Sequence, residues 1–179
     1  MTAFYVILGI VIALIVIVNI FLSIEGNAKV EVRTENRTPW IVEQQTDTSV
    51  VLSTKLEFAN VGKQCATIMD AIVRPQLPYE QYDGIEVRGK AEMEGAPRED
   101  DYFEAVLIQK RESIFIHAKV MLTARKGMNL REALSHMVDL PVELIYMTVD
   151  RKPWRYEKVR FLLTADEIAR LAGVDLAED

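Results

Sequence analysis

Residues 3–24 read AFYVILGIVIALIVIVNIFLSI, and no charged side chain occurs before Glu25. A run of this kind leaves little choice of structure. About 20 apolar residues in a helix, rising about 1.5 Å each, span the roughly 30 Å hydrocarbon core of a bilayer. Within lipid every backbone N–H and C=O has to be paired inside the segment, so the helix forms even though Ile and Val are middling helix formers in water. A cleaved secretory signal would have a basic leading region and a shorter apolar run. Here no Lys or Arg precedes the run, and Gly26-Asn27-Ala28 is a poor match to a small-x-small cleavage site. We therefore expect residues 1–24 to be an uncleaved anchor that contacts the bilayer through residues 3–24 and makes this a single-pass protein of the cell membrane.

Three residues in the run bear on helix packing. Gly9 and Ala13 form a small-xxx-small pair that would let a second helix approach closely, and Asn19 could offer an interhelical hydrogen bond. Six residues separate Asn19 from Ala13, which turns it about 120° away from that face. A weak homo-oligomer through the helix is the most that these signals imply.

The anchor sets a question of sidedness. Lys29, Arg33 and Arg37 follow the helix and no base precedes it, which by the positive-inside rule favours a cytoplasmic domain. Each of these bases has a Glu within two residues, and the resemblance described below points outward. The expectation adopted here is an extracytoplasmic domain.

All 21 Lys+Arg and all 27 Asp+Glu lie after the apolar run, giving a net charge of −6. An acidic polar part argues against a nucleic-acid partner, which demands a basic field. The single cysteine excludes an intramolecular disulfide and a cysteine-rich zinc site.

Residues 25–48 read as a connector in which 29–33 (KVEVR) alternates as a short strand would. From residue 49 the period is two. In 49–60, Leu52, Thr54, Leu56 and Phe58 share one face, with Ser53, Lys55 and Glu57 on the other. Further strands are expected at 65–74, 85–94 (an edge strand carrying Gly89), 102–110, 113–125, 142–150 and 154–163. The pairs 102–110 with 113–125 and 142–150 with 154–163 read as hairpins. Asn129 with Glu132 and Thr164 with Glu167 have capping-box spacing and predict two short helices, the second ending at Gly173. We expect residues 49–179 to form an antiparallel Ig-like β-sandwich closed by a short C-terminal helix, with an α+β fold as the alternative.

Leu56-Glu57-Phe58-Ala59-Asn60-Val61-Gly62, followed by an Ile-containing strand, resembles the opening of bacterial Ig-like adhesion-type domains, in which an apolar strand ends in an Asn-x-Gly turn. The chain as a whole is similar to uncharacterised bacterial single-pass membrane-anchored proteins carrying one such sandwich. The resemblance implies an outward-facing β-domain and carries over no functional residue, because these modules share architecture and not a catalytic site.

Catalytic chemistry finds little purchase. His117 and His136 lie on different elements and lack metal-ligand spacing. Cys65 has Lys63 nearby but no histidine to act as its base. Glu92, Glu94, Glu99, Asp100 and Asp101 surround Gly95-Ala96-Pro97 without a calcium-loop register. No phosphate loop or nucleophile elbow occurs. Asn36-Arg37-Thr38 matches a glycosylation sequon. Two segments suit contact surfaces: the long turn holding Tyr79 and Tyr82, and the run Arg151-Lys152-Pro153-Trp154, where Trp154 could equally be core.

The expected function is a membrane-tethered protein-interaction or scaffolding module with no catalytic activity, cofactor or metal, and with a protein partner that the sequence does not name. Two alternatives stand beside it. One is an accessory subunit of a membrane complex that associates through its helix. The other is a carboxylate-dependent hydrolase using Glu99, Asp100 or Asp101.

Overall fold

A computed structural model describes residues 2–177. Helix α1 (Thr2–Glu25) holds the whole apolar run, buries none of its residues in the rest of the chain and has a mean hydropathy of 3.1 in its most apolar window. It is long and apolar enough to cross a membrane, a property it shares with signal sequences. The helix stops where Gly26 takes a left-handed φ of 68° and its N–H bonds back to Leu22 O at 3.1 Å. That conformation is cheap only for glycine.

Beyond the helix, two antiparallel sheets enclose one core. The first is built on β3 (Ser49–Asn60) and β7 (Ser113–Ala124), which pair along nearly their full length, with β5 (Ile85–Met93) on the far edge of β7. Two short strands share the other edge of β3. β1 (Val30–Arg33) pairs with its second half and β2 (Ile41–Gln45) with its first. The second sheet runs β6 (Val106–Ile108), β4 (Ala66–Pro75), β8 (Leu140–Val149), β9 (Arg155–Leu163).

Leu52, Thr54, Leu56 and Phe58 of β3 face Val142, Leu144, Tyr146 and Thr148 of β8 across the core, all of them buried. The Phe58 and Tyr146 rings meet edge to face at 5.0 Å. The two short helices, α2 (Leu130–Leu134) and α3 (Ala165–Ala172), close the end of the sheets away from α1 and bury Leu134 and Ile168. Thr164 and Glu167 form the full reciprocal capping box of α3, and Asn129 caps α2 by accepting from the Glu132 N–H.

The chain departs from its sequence expectation in three places. Residues 25–48 do more than connect, since β1 and β2 complete the first sheet and Trp40 is buried against Phe161. The polarity of IVEQQ concealed β2: an outer strand paired on one side needs few apolar residues. Segments 102–110 and 113–125 do not form a hairpin. β6 pairs with β4 in one sheet while β7 pairs with β3 and β5 in the other, so residues 109–112 cross between the layers, with Arg111 at φ 63°. Phe103 is buried in the core, and residues 102–105 are not part of the strand.

The third departure is a bulge in β4. Met69 opposes Met147 and Ile72 opposes Ile145, so Asp70 and Ala71 together face one residue, and Asp70 sits at φ 51°. Regular alternation from Ile68 would send the Asp70 carboxylate into the core. The extra residue shifts the phase so that Ala71 and Val73 point inward instead.

Candidate functional site

The strand directions sort the loops into two ends. Near α1 lie the β3–β4, β6–β7 and β8–β9 loops; at the far end lie the β4–β5 loop and both short helices. Tyr79 and Tyr82 therefore stand at one end and Arg151, Lys152 and Trp154 at the other, separated by the ten-residue length of β4 and β8, about 30 Å at the rise of a strand. They cannot form one patch. The tyrosine loop is clasped by the connection after β7: the Arg125 guanidinium lies 5.1 Å from the Tyr79 ring centroid and donates to its hydroxyl, and Lys126 pairs with Asp83. Trp154 is not core. It is 63% exposed and meets Tyr156 edge to face at 5.8 Å. In α1, Gly9 opens on free space, Ala13 is exposed, and Asn19 donates its amide to Ile15 O of its own helix at 2.8 Å.

Asn60 and Gly62 tie the β-domain to the chain that leaves α1. Asn60 is 1% exposed, yet its side chain is fully used. Its oxygen accepts from Gly62 N–H at 3.0 Å and from Lys29 N–H at 3.4 Å, and its amide donates to Gln64 O at 2.7 Å and Ile108 O at 3.2 Å. A Cβ on Gly62 would stand 2.3 Å from Lys29 N and 2.6 Å from Asn27 O, so only glycine lets the chain leaving α1 pass this close.

The outer faces of the two sheets differ in character. On the first sheet Lys119 bridges Glu43 at 2.8 Å and Glu92 at 3.0 Å, and Lys90 meets Asp101 at 2.9 Å. For Glu43, partial burial alone would raise the carboxyl pKa, but Lys119 outweighs it and holds the group below the usual range. Arg98 likewise holds the Asp100 carboxyl well below that range. A general acid needs the reverse shift. His117 lies half-buried on this face and His136 is exposed on the distal end. Cys65 is exposed and donates to Gln109. Among the described residues no group of three or more His, Cys, Asp and Glu is placed to hold a metal.

The second sheet presents an uncovered apolar band. Reading across the register, Leu107, Thr67 and Val149 form one row, Met69, Met147 and Tyr156 the next, then Ile72, Ile145 and Lys158. Leu107, Ile72 and Tyr156 are 54%, 53% and 61% exposed, and Trp154 continues the band toward α1. Contiguous apolar surface on the outer side of a sheet is unusual where it meets water, which makes this face the candidate contact surface. The next row is ionic: Glu143 on β8 accepts from Arg160 at 2.7 Å and Lys158 at 3.1 Å, with Arg74 directly across on β4. The sequence signal for this band is that β8, VELIYMTV from Val142, is apolar on both faces, whereas a half-solvated antiparallel strand alternates.

The border carries a pH signature. Arg160, and then Lys158, hold the Glu143 carboxyl below its ordinary value of 4.5. A depressed native pKa contributes stability that is complete above the unfolded value and is lost as pH falls through the native one. Glu143→Gln is expected to lower the melting temperature near neutrality, where the ion pairs are intact, and to flatten its fall below about pH 4.5, where the two proteins converge. Thermal melts of both proteins across that range test this, and identical acid slopes would contradict it.

No family model and no curated protein matches this sequence. Among solved structures, a Bordetella pertussis protein assigned the name ApaA is similar over 76% of this chain and 94% of its own, at 14% identity and a TM-score of 0.46. The GAE domain of GGA2p from Saccharomyces cerevisiae is similar over 77% of this chain and 98% of its own, at 10% identity and a TM-score of 0.34. The yeast GGA1 GAE domain is similar over 72% and 98%, at 11% identity and a TM-score of 0.30. Likenesses this distant assign neither function nor partner.

Proposed function

We propose that this chain is a membrane-tethered, non-catalytic protein-interaction module, held in the bilayer by α1 and presenting the outer face of its four-stranded sheet to a protein partner. The observation that carries the reading is the apolar band from Trp154 and Tyr156 through Met147 to Ile72, bordered by Lys158, Arg160 and Arg74. An apolar centre with a charged rim is the usual anatomy of a contact surface. Two of the three acids of the hydrolase alternative, Asp100 and Asp101, are paired with Arg98 and Lys90, which supports a non-catalytic role.

The test uses full-length protein in native membranes with a photo-crosslinking residue at Ile72 or Tyr156, and at Met121 on the opposite sheet as the control. A discrete adduct from the first two positions and none from Met121 is the expected result. Equal crosslinking from all three, or none from any, would contradict the proposal. An adduct only from positions in α1, such as Gly9, would favour the accessory-subunit alternative.

The finer assignments belong to the same proposal: an Ig-like sandwich, a single-pass location in the cell membrane and, by the resemblance of the Asn60-Val61-Gly62 turn, an extracytoplasmic domain. One observation favours the opposite side. To Lys29, Arg33 and Arg37 the fold adds Lys63, Lys110, Arg111, Arg151 and Lys152 at the helix-proximal end, and the cytoplasmic leaflet attracts such charge. A cysteine replacing Gln81, in a Cys65→Ala background, separates the two. Labelling by an impermeant reagent in intact cells means an outward domain, and labelling only after lysis an inward one.

A further inference from the structure

We propose that the helix-proximal end of the β-domain is a docking surface for the anionic phospholipid headgroups of the bilayer that holds its own helix. This inference does not depend on the apolar band of the second sheet. The surface is assembled from the three loops nearest α1. In the β3–β4 loop, Lys63 Nζ donates to Ile24 O at 3.2 Å and Gln64 donates to the Glu25 carboxylate at 2.9 Å. From the β8–β9 loop, the Arg151 guanidinium donates to Gly26 O and, at 3.3 Å, to Asn27 Oδ1. The β6–β7 loop brings Lys110 and Arg111. Together Ile24, Glu25, Lys63, Lys110 and Arg111 line a cleft of about 250 Å³.

Position and charge together identify the occupant. Ile24 is the last apolar residue of the run, so the edge of the hydrocarbon lies at its level. An ammonium group bonded to its carbonyl therefore stands at headgroup depth. The chain carries a net −6, but these loops reverse the sign: Lys63, Lys110, Arg111, Arg151 and Lys152 stand against Glu112 and Asp150. Asp150 is already committed to Arg155 and to the Lys152 N–H, and Glu25 to Gln64. Long basic side chains keep their charge at the interface while their stems lie on apolar surface. The exposed indole of Trp154, two residues after Lys152, is the residue type that settles at the same depth. Because α1 ties this surface to the bilayer, even weak individual contacts act at high effective concentration. Engagement of the headgroups would fix the angle at which the uncovered sheet face stands from the membrane.

The test uses the full chain reconstituted into phosphatidylcholine vesicles with or without phosphatidylglycerol, all carrying brominated acyl chains. Trp154 emission is obtained by subtracting the signal of Trp154→Phe, which retains Trp40. The expected result is several-fold stronger quenching in the phosphatidylglycerol vesicles. It should fall to the neutral-lipid level in the variant combining Lys63→Gln, Lys110→Gln, Arg111→Gln and Lys152→Gln, and should weaken with added salt, which screens exposed charges. These positions are exposed, and an unchanged melting temperature checks that the variant folds. Equal quenching in both lipids would show that the tether alone brings Trp154 to the surface and would overturn the proposal. Quenching that depends on phosphatidylglycerol but survives the four substitutions would also overturn it. If the variant misfolds, the comparison of the two lipids and the salt dependence in the unaltered chain decide the question.

Discussion

Asn60→Asp is expected to destabilise the β-domain by about 3–5 kcal/mol, the usual cost of an uncompensated buried charge, and so to remove much of a stability that for domains of this kind is roughly 5–15 kcal/mol. The substitution is almost isosteric, so its effect is electrostatic. The Asn60 amide points at two carbonyls, Gln64 O and Ile108 O. A carboxylate there would face both oxygens with no donor to offer. Asn60→Ala removes the same bonds without adding charge and should cost less, about 1–3 kcal/mol. The aspartate variant should partly recover on acidification, since a protonated carboxyl can donate to one of the carbonyls. In linkage terms its native pKa lies above the unfolded value, so its stability rises as pH falls through the native pKa. Urea titrations at neutral and mildly acidic pH check both statements. Equal stability of the aspartate and alanine variants at neutral pH would contradict the account.

Phe58→Ala is expected to cost about 3–5 kcal/mol, the range for a large aromatic removed from a closed core. At this chain length that is roughly 6–20 °C in melting temperature. Phe58 is fully buried on β3 and its ring touches Tyr146 on β8, so it joins the two sheets as well as filling space. Tyr146 cannot move to fill the void without cost, because its hydroxyl donates to Glu157 at 3.3 Å. Burial, with the Glu157 charge beside it, pushes the Tyr146 phenol pKa well above its ordinary value. A melting temperature within a degree or two of the unaltered protein would show that the two sheets do not meet where β3 and β8 place them.

Much of the scaffold was legible because single residues state their own constraints. The alternation of Leu52, Thr54, Leu56 and Phe58 has one solution as a half-buried strand, and Thr164 with Glu167 has one as a helix start. The partners of β6 and β7 were not legible. A three-residue turn such as Lys110-Arg111-Glu112 suits a hairpin and a crossing between sheets equally well, and only the burial of Phe103 and Ile108 from the other layer decides. The proposed contact surfaces were half legible. Arg151, Lys152 and Trp154 stand out as a run, but their neighbours Lys63, Lys110 and Arg111 come from loops far apart in sequence and gather only in the fold. The apolar band is hidden in the sequence because Ile145 and Met147 look like core until the fold shows that β8 has a second apolar face.

The interaction surface and the headgroup contacts both hang from one physical claim, that α1 stays in the bilayer of the mature protein. Washing membranes that contain the full-length chain with high salt and then alkali tests this claim most directly. Charge screening and loss of peripheral contacts do not release a spanning helix. The protein is expected to stay in the pellet and to keep residues 3–24. Recovery in the wash supernatant, or a mature chain that begins at Lys29, would contradict it.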